Sequence, residues 1–239
     1  MPERDIELDV PSMLVEWETF RLAGPGKLRL TSETMLLEAA TGGTLVALYA
    51  ELRGGGWRTG SLTIHGAGKA VLQSGRGLEQ AWVSLIERAC PLPELTRGHR
   101  LLGSTRGGPV DLQARFLAPF LQARRRLEQE ADLEARVATL DARALRERLE
   151  TALKTIARDL YPLSHPDRRG LEAELEEAMA PFYEGLDAME SAAEHFRSAP
   201  EAIRFMAWRE WVSAASRVFV LADRGWASAA RLLPRGVKP

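Results

Sequence analysis

The chain has 239 residues, 45% hydrophobic and 27% charged, and its 32 Lys and Arg nearly cancel its 33 Asp and Glu. That length is enough for two modest domains, each with its own core, and that composition excludes wholesale disorder and fibrous folds. The balanced charge leaves no global attraction toward nucleic acid or an anionic membrane, and the single cysteine, Cys90, excludes an internal disulfide.

The opening Met1-Pro2-Glu3-Arg4-Asp5 is polar and acidic, unlike a secretory signal, and no apolar run approaches the ~20 residues of a membrane span. These features point to a cytoplasmic protein without a transmembrane segment. Period-two alternation then predicts seven short strands, at 6–10, 14–22, 27–31, 34–39, 45–52, 57–65 and 69–73. Turns are predicted at Gly24-Pro25-Gly26, Thr41-Gly42-Gly43, Gly54-Gly55-Gly56 and Gly66-Ala67-Gly68. One amphipathic helix follows over Gly77 to Ala89, with Leu78, Trp82, Leu85, Ile86 and Ala89 on one face, and Pro91 and Pro93 stop it.

Seven short antiparallel strands closed by a helix that carries a Trp on its buried face, in Gly77-Leu78-Glu79-Gln80-Ala81-Trp82-Val83-Ser84-Leu85-Ile86, resemble the pleckstrin-homology-like superfold over residues 5–92. The resemblance implies a docking domain. In members that bind phosphoinositides, basic residues flank the first hairpin, and here Arg21, Lys27 and Arg29 would hold that anion-binding position around Gly24-Pro25-Gly26.

Residues 94–110, with Arg97-Gly98-His99 and Arg106-Gly107-Gly108-Pro109, read as a linker between a β-rich domain over 1–93 and a helical domain over 111–235. Helices are predicted from Asp111 with Pro119 as a kink, from Asp141 to Leu160, from Asp167 to Arg197 with Pro181 as a kink, and from Pro200-Glu201 onward. Short joints make this an antiparallel four-helix bundle, so the fold class is α+β: a small antiparallel β-barrel or sandwich closed by a helix, then a bundle. The third helix has nine acids against three bases and residues 200–239 have seven bases against three acids, a complementarity suited to neighbours.

Chemistry-bearing motifs are scarce. Ile64-His65-Gly66-Ala67-Gly68-Lys69-Ala70 suggests a phosphate loop, but Thr63 stands where the first glycine belongs and Ala70 where a hydroxyl is needed, so a hairpin turn is expected. His65, His99, His165 and His195 have no metal spacing, and Cys90 ends a helix rather than beginning one. Arg124-Arg125-Arg126 is followed by Glu128, Glu130, Asp132 and Glu134, which cancel its field for a phosphate backbone.

The last helix is apolar on more than one face. Its Trp208, Arg209, Trp211 and Trp226 are the candidate residues for a protein partner or for self-association. The sequence therefore points to a non-catalytic interaction or scaffolding protein without cofactor or metal and without nucleic-acid binding. An anionic-headgroup binder through the first hairpin is one alternative. An enzyme with an inter-domain site near His99, His165 and the acidic helix is another.

Overall fold

The structure is a computed structural model that describes residues 5–91, 110–130, 132–160 and 167–232. Two compact units emerge, one of residues 1–92 with 198–209 and the other of residues 93–197 with 210–239. Of the expected linker 94–110, residues 94–109 lie outside the described residues, as do the histidines at 99 and 165, while Val110 already begins a helix. Residues 198–209 had been grouped with the helical domain by sequence, yet they cluster with the β-rich unit.

The first unit is a single curled antiparallel sheet of seven strands: β1 (Ile6–Trp17), β2 (Phe20–Leu30), β3 (Thr34–Ala39), β4 (Thr44–Leu48), β5 (Gly54–Arg58), β6 (Ser61–His65) and β7 (Gly68–Gln73). Spatial order is β4-β3-β2-β1-β7-β6-β5, so β4 and β5 are its edges. Helix α1 (Leu78–Ala89) closes the half-barrel, contacting β1, β2, β5 and β6. Its core is built from Val10, Val15, Leu28, Leu30, Met35, Leu37, Leu62, Ile64 and Leu72 of the sheet with Leu78 and Leu85 of α1.

A single irregularity organises the first hairpin. Between the pairs Val10↔Gly26 and Met13↔Gly24, β1 spends two residues, Pro11 and Ser12, against Pro25 alone. Such a bulge seats two prolines that cannot donate to a ladder, and it inverts which parity of β1 faces inward. Val10 before it and Met13, Val15 and Trp17 after it are all buried, which leaves Leu14 outside at 51% exposure. Thus the predicted strands 6–10 and 14–22 become one bulged strand plus the start of the next, reversed at Glu18-Thr19, where Glu18 takes a left-handed backbone (φ 49°). Gly24-Pro25-Gly26, expected as a turn, lies inside β2. The predicted strand 57–65 likewise divides at Thr59-Gly60, with Gly60 at φ 80°.

Gly66-Ala67-Gly68 is the β6–β7 turn, closed by the Gly66 amide on the Gly68 carbonyl at 2.9 Å. A Cβ on Gly66 would strike the Trp17 ring, and one on Gly68 the main chain of Glu16 and Trp17. These glycines make room for a packed tryptophan.

The second unit contains α2 (Val110–Gln129), α3 (Leu133–Thr139), α4 (Ala142–Leu160), α5 (Asp167–Ser198) and, from Glu210, the remainder of α6 (Arg204–Leu232). Asp141 caps α4 by accepting the Ala144 amide at 2.9 Å, and Asp132 does the same for Ala135 at 2.9 Å, starting the short α3 that periodicity had not revealed. Helices α2 and α5 run continuously past Pro119 and Pro181. Phe120 stands edge-on to Phe182 (5.3 Å between centroids) and to Phe219 (6.1 Å). Leu149, Met179 and Leu186 are buried in the same unit.

Candidate docking site

The most built feature of the β-rich unit is the seat in which residues 198–209 lie. Pro200 leads into a 3-10 turn, Glu201–Ile203, closed by the Ile203 amide on the Pro200 carbonyl at 3.0 Å, and α6 begins at Arg204. The first amides of any helix have no intrahelical acceptor. Here the amides of Phe205 and Met206 both donate to the Arg53 carbonyl, at 3.0 and 3.3 Å, so the residue leading into β5 caps α6.

One turn further along, Arg209 reaches back into the same unit. Its guanidinium donates through Nη2 to the carbonyls of Tyr49 (2.9 Å) and Ala89 (3.1 Å), and through Nη1 to those of Leu52 (3.0 Å) and Ala50 (3.3 Å). Ala89 ends α1, so its carbonyl is one that the helix leaves without an intrahelical donor, and Tyr49 and Ala50 belong to the 3-10 turn Tyr49–Glu51, in which the Tyr49 carbonyl also accepts the Leu52 amide at 3.3 Å. A planar cation with five donors suits such a cluster, and the partial negative charge at helix C-termini favours it.

The floor of the seat is glycine. A Cβ on Gly54 would fall 2.6 Å from the Ala202 carbonyl carbon and nearer still to the Glu201 main-chain oxygen. On Gly56 it would meet the Glu201 carboxyl carbon at 2.5 Å, and on Gly55 the Trp82 ring at 3.1 Å. Gly54 therefore lets another backbone approach the strand, Gly56 makes room for the Glu201 carboxyl group, and Gly55 makes room for the Thr63 carbonyl and the Trp82 ring. Trp82 and Phe205 stack at 5.8 Å with 24° between their planes.

The rim carries one titratable pair, His65 Nε2 at 3.7 Å from Glu201 Oε1. Burial holds the His65 pKa below the ordinary 6.5 and Lys69 adds to this, while Glu201 opposes it. The imidazole is therefore neutral at physiological pH.

The predicted site residues distribute differently. Trp208 and Trp211 are fully buried and offer no surface to a partner, and the apolar residues that α6 displays instead include Met206 and Val220, each 45% exposed. Trp226 is half-buried, and Arg209 is committed to carbonyls of its own chain. Trp82 lies at the edge of the α1 buried face, which is centred on Leu78, Ala81, Leu85 and Ala89, and this placement leaves its ring available to Phe205.

Arg21, Lys27 and Arg29 do not surround a turn but lie along β2, each opposite an acid of β1: Glu16↔Arg21, Asp9↔Lys27, Glu7↔Arg29. Lys27 contacts Glu7 at 2.6 Å and Arg29 contacts it at 3.0 Å, which holds the Glu7 carboxyl below and the Lys27 amine above their usual pKa. Arg21 is 3.7 Å from Glu16. Arg124 pairs with Glu128 at 2.7 Å.

In the helical unit, Arg146 stacks over Tyr183 at 5.0 Å and pairs with Asp187. Burial raises the Tyr183 pKa, with Glu150 and Glu176 adding to it. His195 meets Glu210 at 2.8 Å, a pair between the acidic helix and α6.

Sequence reasoning missed Arg53, the three glycines as a seat, Glu201 and Phe205. Its one available signal was Gly54-Gly55-Gly56 itself, since no tight turn needs three glycines in a row.

Among the described residues, no group of three or more His, Cys, Asp or Glu is placed to hold a metal ion, and no helix is long and apolar enough to cross a membrane. Comparison with protein-family models, with curated proteins and with solved structures finds no match to this chain.

Proposed function

We propose that the chain is a non-catalytic interaction protein in which the β-rich unit is a docking domain for helical segments, joined to a helical scaffold. The observation that supports this reading is the seat itself: main-chain carbonyls, a glycine floor and an aromatic face gathered around a helix start. Folded domains take up helical segments with this chemistry, by an apolar anchor plus terminal hydrogen bonds. The proposal keeps the pleckstrin-homology-like reading of residues 5–92, which rests on element order and on the Trp82 helix. It also keeps a cytoplasmic setting, which rests on one buried cysteine, Cys90.

The test is occupancy in trans. In the full chain, Phe205→Ala with Arg209→Ala weakens the resident segment while leaving every atom of the seat in place. A fluorescent peptide of residues 198–213 is expected to bind this variant saturably by polarisation, and to lose binding when Gly54→Val is added. Absence of saturable binding contradicts the reading.

A further inference from the structure

Edge strand β4 carries a second surface, independent of the seat. In an antiparallel ladder, residues alternate between those that exchange main-chain hydrogen bonds with the partner strand and those whose N–H and C=O point away. The Ala39 amide donates to the Gly43 carbonyl at 3.1 Å, which makes 39 and 43 a hydrogen-bonded pair. With the register Leu37↔Leu45 and Met35↔Ala47, the bonds toward β3 come from Leu45 and Ala47. The N–H and C=O groups of Thr44, Val46 and Leu48 are therefore directed away from β3, to an edge that no strand among the described residues pairs with. The Leu48 amide there is covered by the Glu51 carboxylate at 3.1 Å.

The side chains of the same three residues stand on the outer face. Val46 is 57% exposed and Leu48 49%, and Leu36 lies beside Val46 across the β3–β4 ladder. Natural edges are blunted by lysine, proline or charge, and Thr44-Leu45-Val46-Ala47-Leu48 itself contains none of these, the Glu51 carboxylate reaching the edge at its Leu48 end.

We propose that two copies of the chain pair through β4, antiparallel about a two-fold axis at Val46, joining their sheets edge to edge. That register sets Val46 opposite Val46 and Thr44 opposite Leu48, so both sets of outward N–H and C=O groups meet as hydrogen-bonded pairs. Each Leu48 amide exchanges its Glu51 cap for a Thr44 carbonyl of the other copy. Val46, Leu48 and Leu36 of both copies form one apolar stripe, and no charge within the strand opposes a like charge. A second copy suits this edge because the pattern is self-complementary about its central residue, as an isologous contact requires. Five paired residues bury less than the ~1,600 Å² of a standard interface, so the dimer is concentration-dependent.

The experiment is sedimentation equilibrium of the full chain from about 1 μM to about 1 mM, the range expected for a small interface. The expected result is a mass that rises from the 26.5 kDa of one chain toward twice that value. Val46→Lys is expected to keep the chain monomeric throughout, while Leu14→Lys, an equally exposed site on central strand β1, leaves the rise unchanged. Val46→Cys is expected to give an oxidised dimer linked at residue 46, since paired Cα atoms ~5.5 Å apart permit a disulfide, whereas Leu14→Cys does not. A wild type that stays monomeric across the range, leaving the edge to a foreign strand or to solvent, overturns the proposal. So does a dimer indifferent to Val46→Lys, or equal cross-linking at residues 14 and 46.

Discussion

The guanidinium of Arg209 donates to the carbonyl of Ala89 at 3.1 Å, joining the second turn of α6 to the last residue of α1 across 120 residues of sequence. The same side chain holds Tyr49, Ala50 and Leu52. Arg209→Ala leaves four main-chain carbonyls without this donor. Bonds to charged groups are worth about 1.5–3 kcal/mol each and are not additive, so a loss of about 2–4 kcal/mol is expected in denaturant unfolding. Arg209→Lys, a point charge without the planar fork, should recover less than half of that loss.

Gly54 and Gly75 separate a seat from a plain loop. A Cβ at Gly54 collides with the main chain of Glu201 and Ala202, whereas at Gly75 nothing lies within 4 Å. Gly54→Ala is expected to cost about 2–4 kcal/mol because main chain must move, and Gly75→Ala to stay within about 0.5 kcal/mol. Thermal melts of the two variants decide this.

His65 makes the β-rich unit sensitive to mild acid. Burial depresses its pKa below the ordinary 6.5 of the unfolded chain, so the unfolded state binds the proton more readily. Stability from this group is complete above 6.5 and falls as the pH drops from there toward the depressed folded value. The expected result is a melting temperature that declines between about pH 7 and pH 5, with a shallower decline in His65→Gln. Identical slopes would contradict the assignment.

Lys27 and Arg29 share Glu7, at 2.6 and 3.0 Å. Asp9, 3.9 Å from Lys27, supplies the second negative charge, so inositol phosphates are expected to leave the melting temperature unchanged. Removing these exposed pairs with Lys27→Gln/Arg29→Gln should leave the melting temperature nearly unchanged. A salt-sensitive thermal gain that the double variant abolishes would support the anion-site reading.

Much of the fold was legible because burial imposes parity. Leu28 and Leu30, Met35 and Leu37, Leu62 and Ile64 alternate as a one-sided sheet must, and Leu145, Leu149 and Leu153 recur as one buried helical stripe. The bulge at Pro11-Ser12 was not legible, because one extra residue reverses parity without changing composition. Nor was the β1–β2 turn, which uses Glu18 and Thr19 rather than glycine. The seat escaped for a different reason: its donors and acceptors are mostly main chain, and its Arg209 contacts span up to 160 residues. Main-chain partners leave no residue-type signature, so Arg209 looked like a surface arginine beside two tryptophans.

Hydrogen exchange at the start of α6 tests the central claim most directly, because amides in a helix's first turn exchange readily unless something outside the helix holds them. The amides of Phe205 and Met206, both on the Arg53 carbonyl, are expected to be protected in the wild type. That protection should fall in Arg209→Ala and Gly54→Ala while the amides of α4 keep theirs. Rapid exchange at Phe205 and Met206 in the wild type, or protection indifferent to both substitutions, would contradict a docked segment.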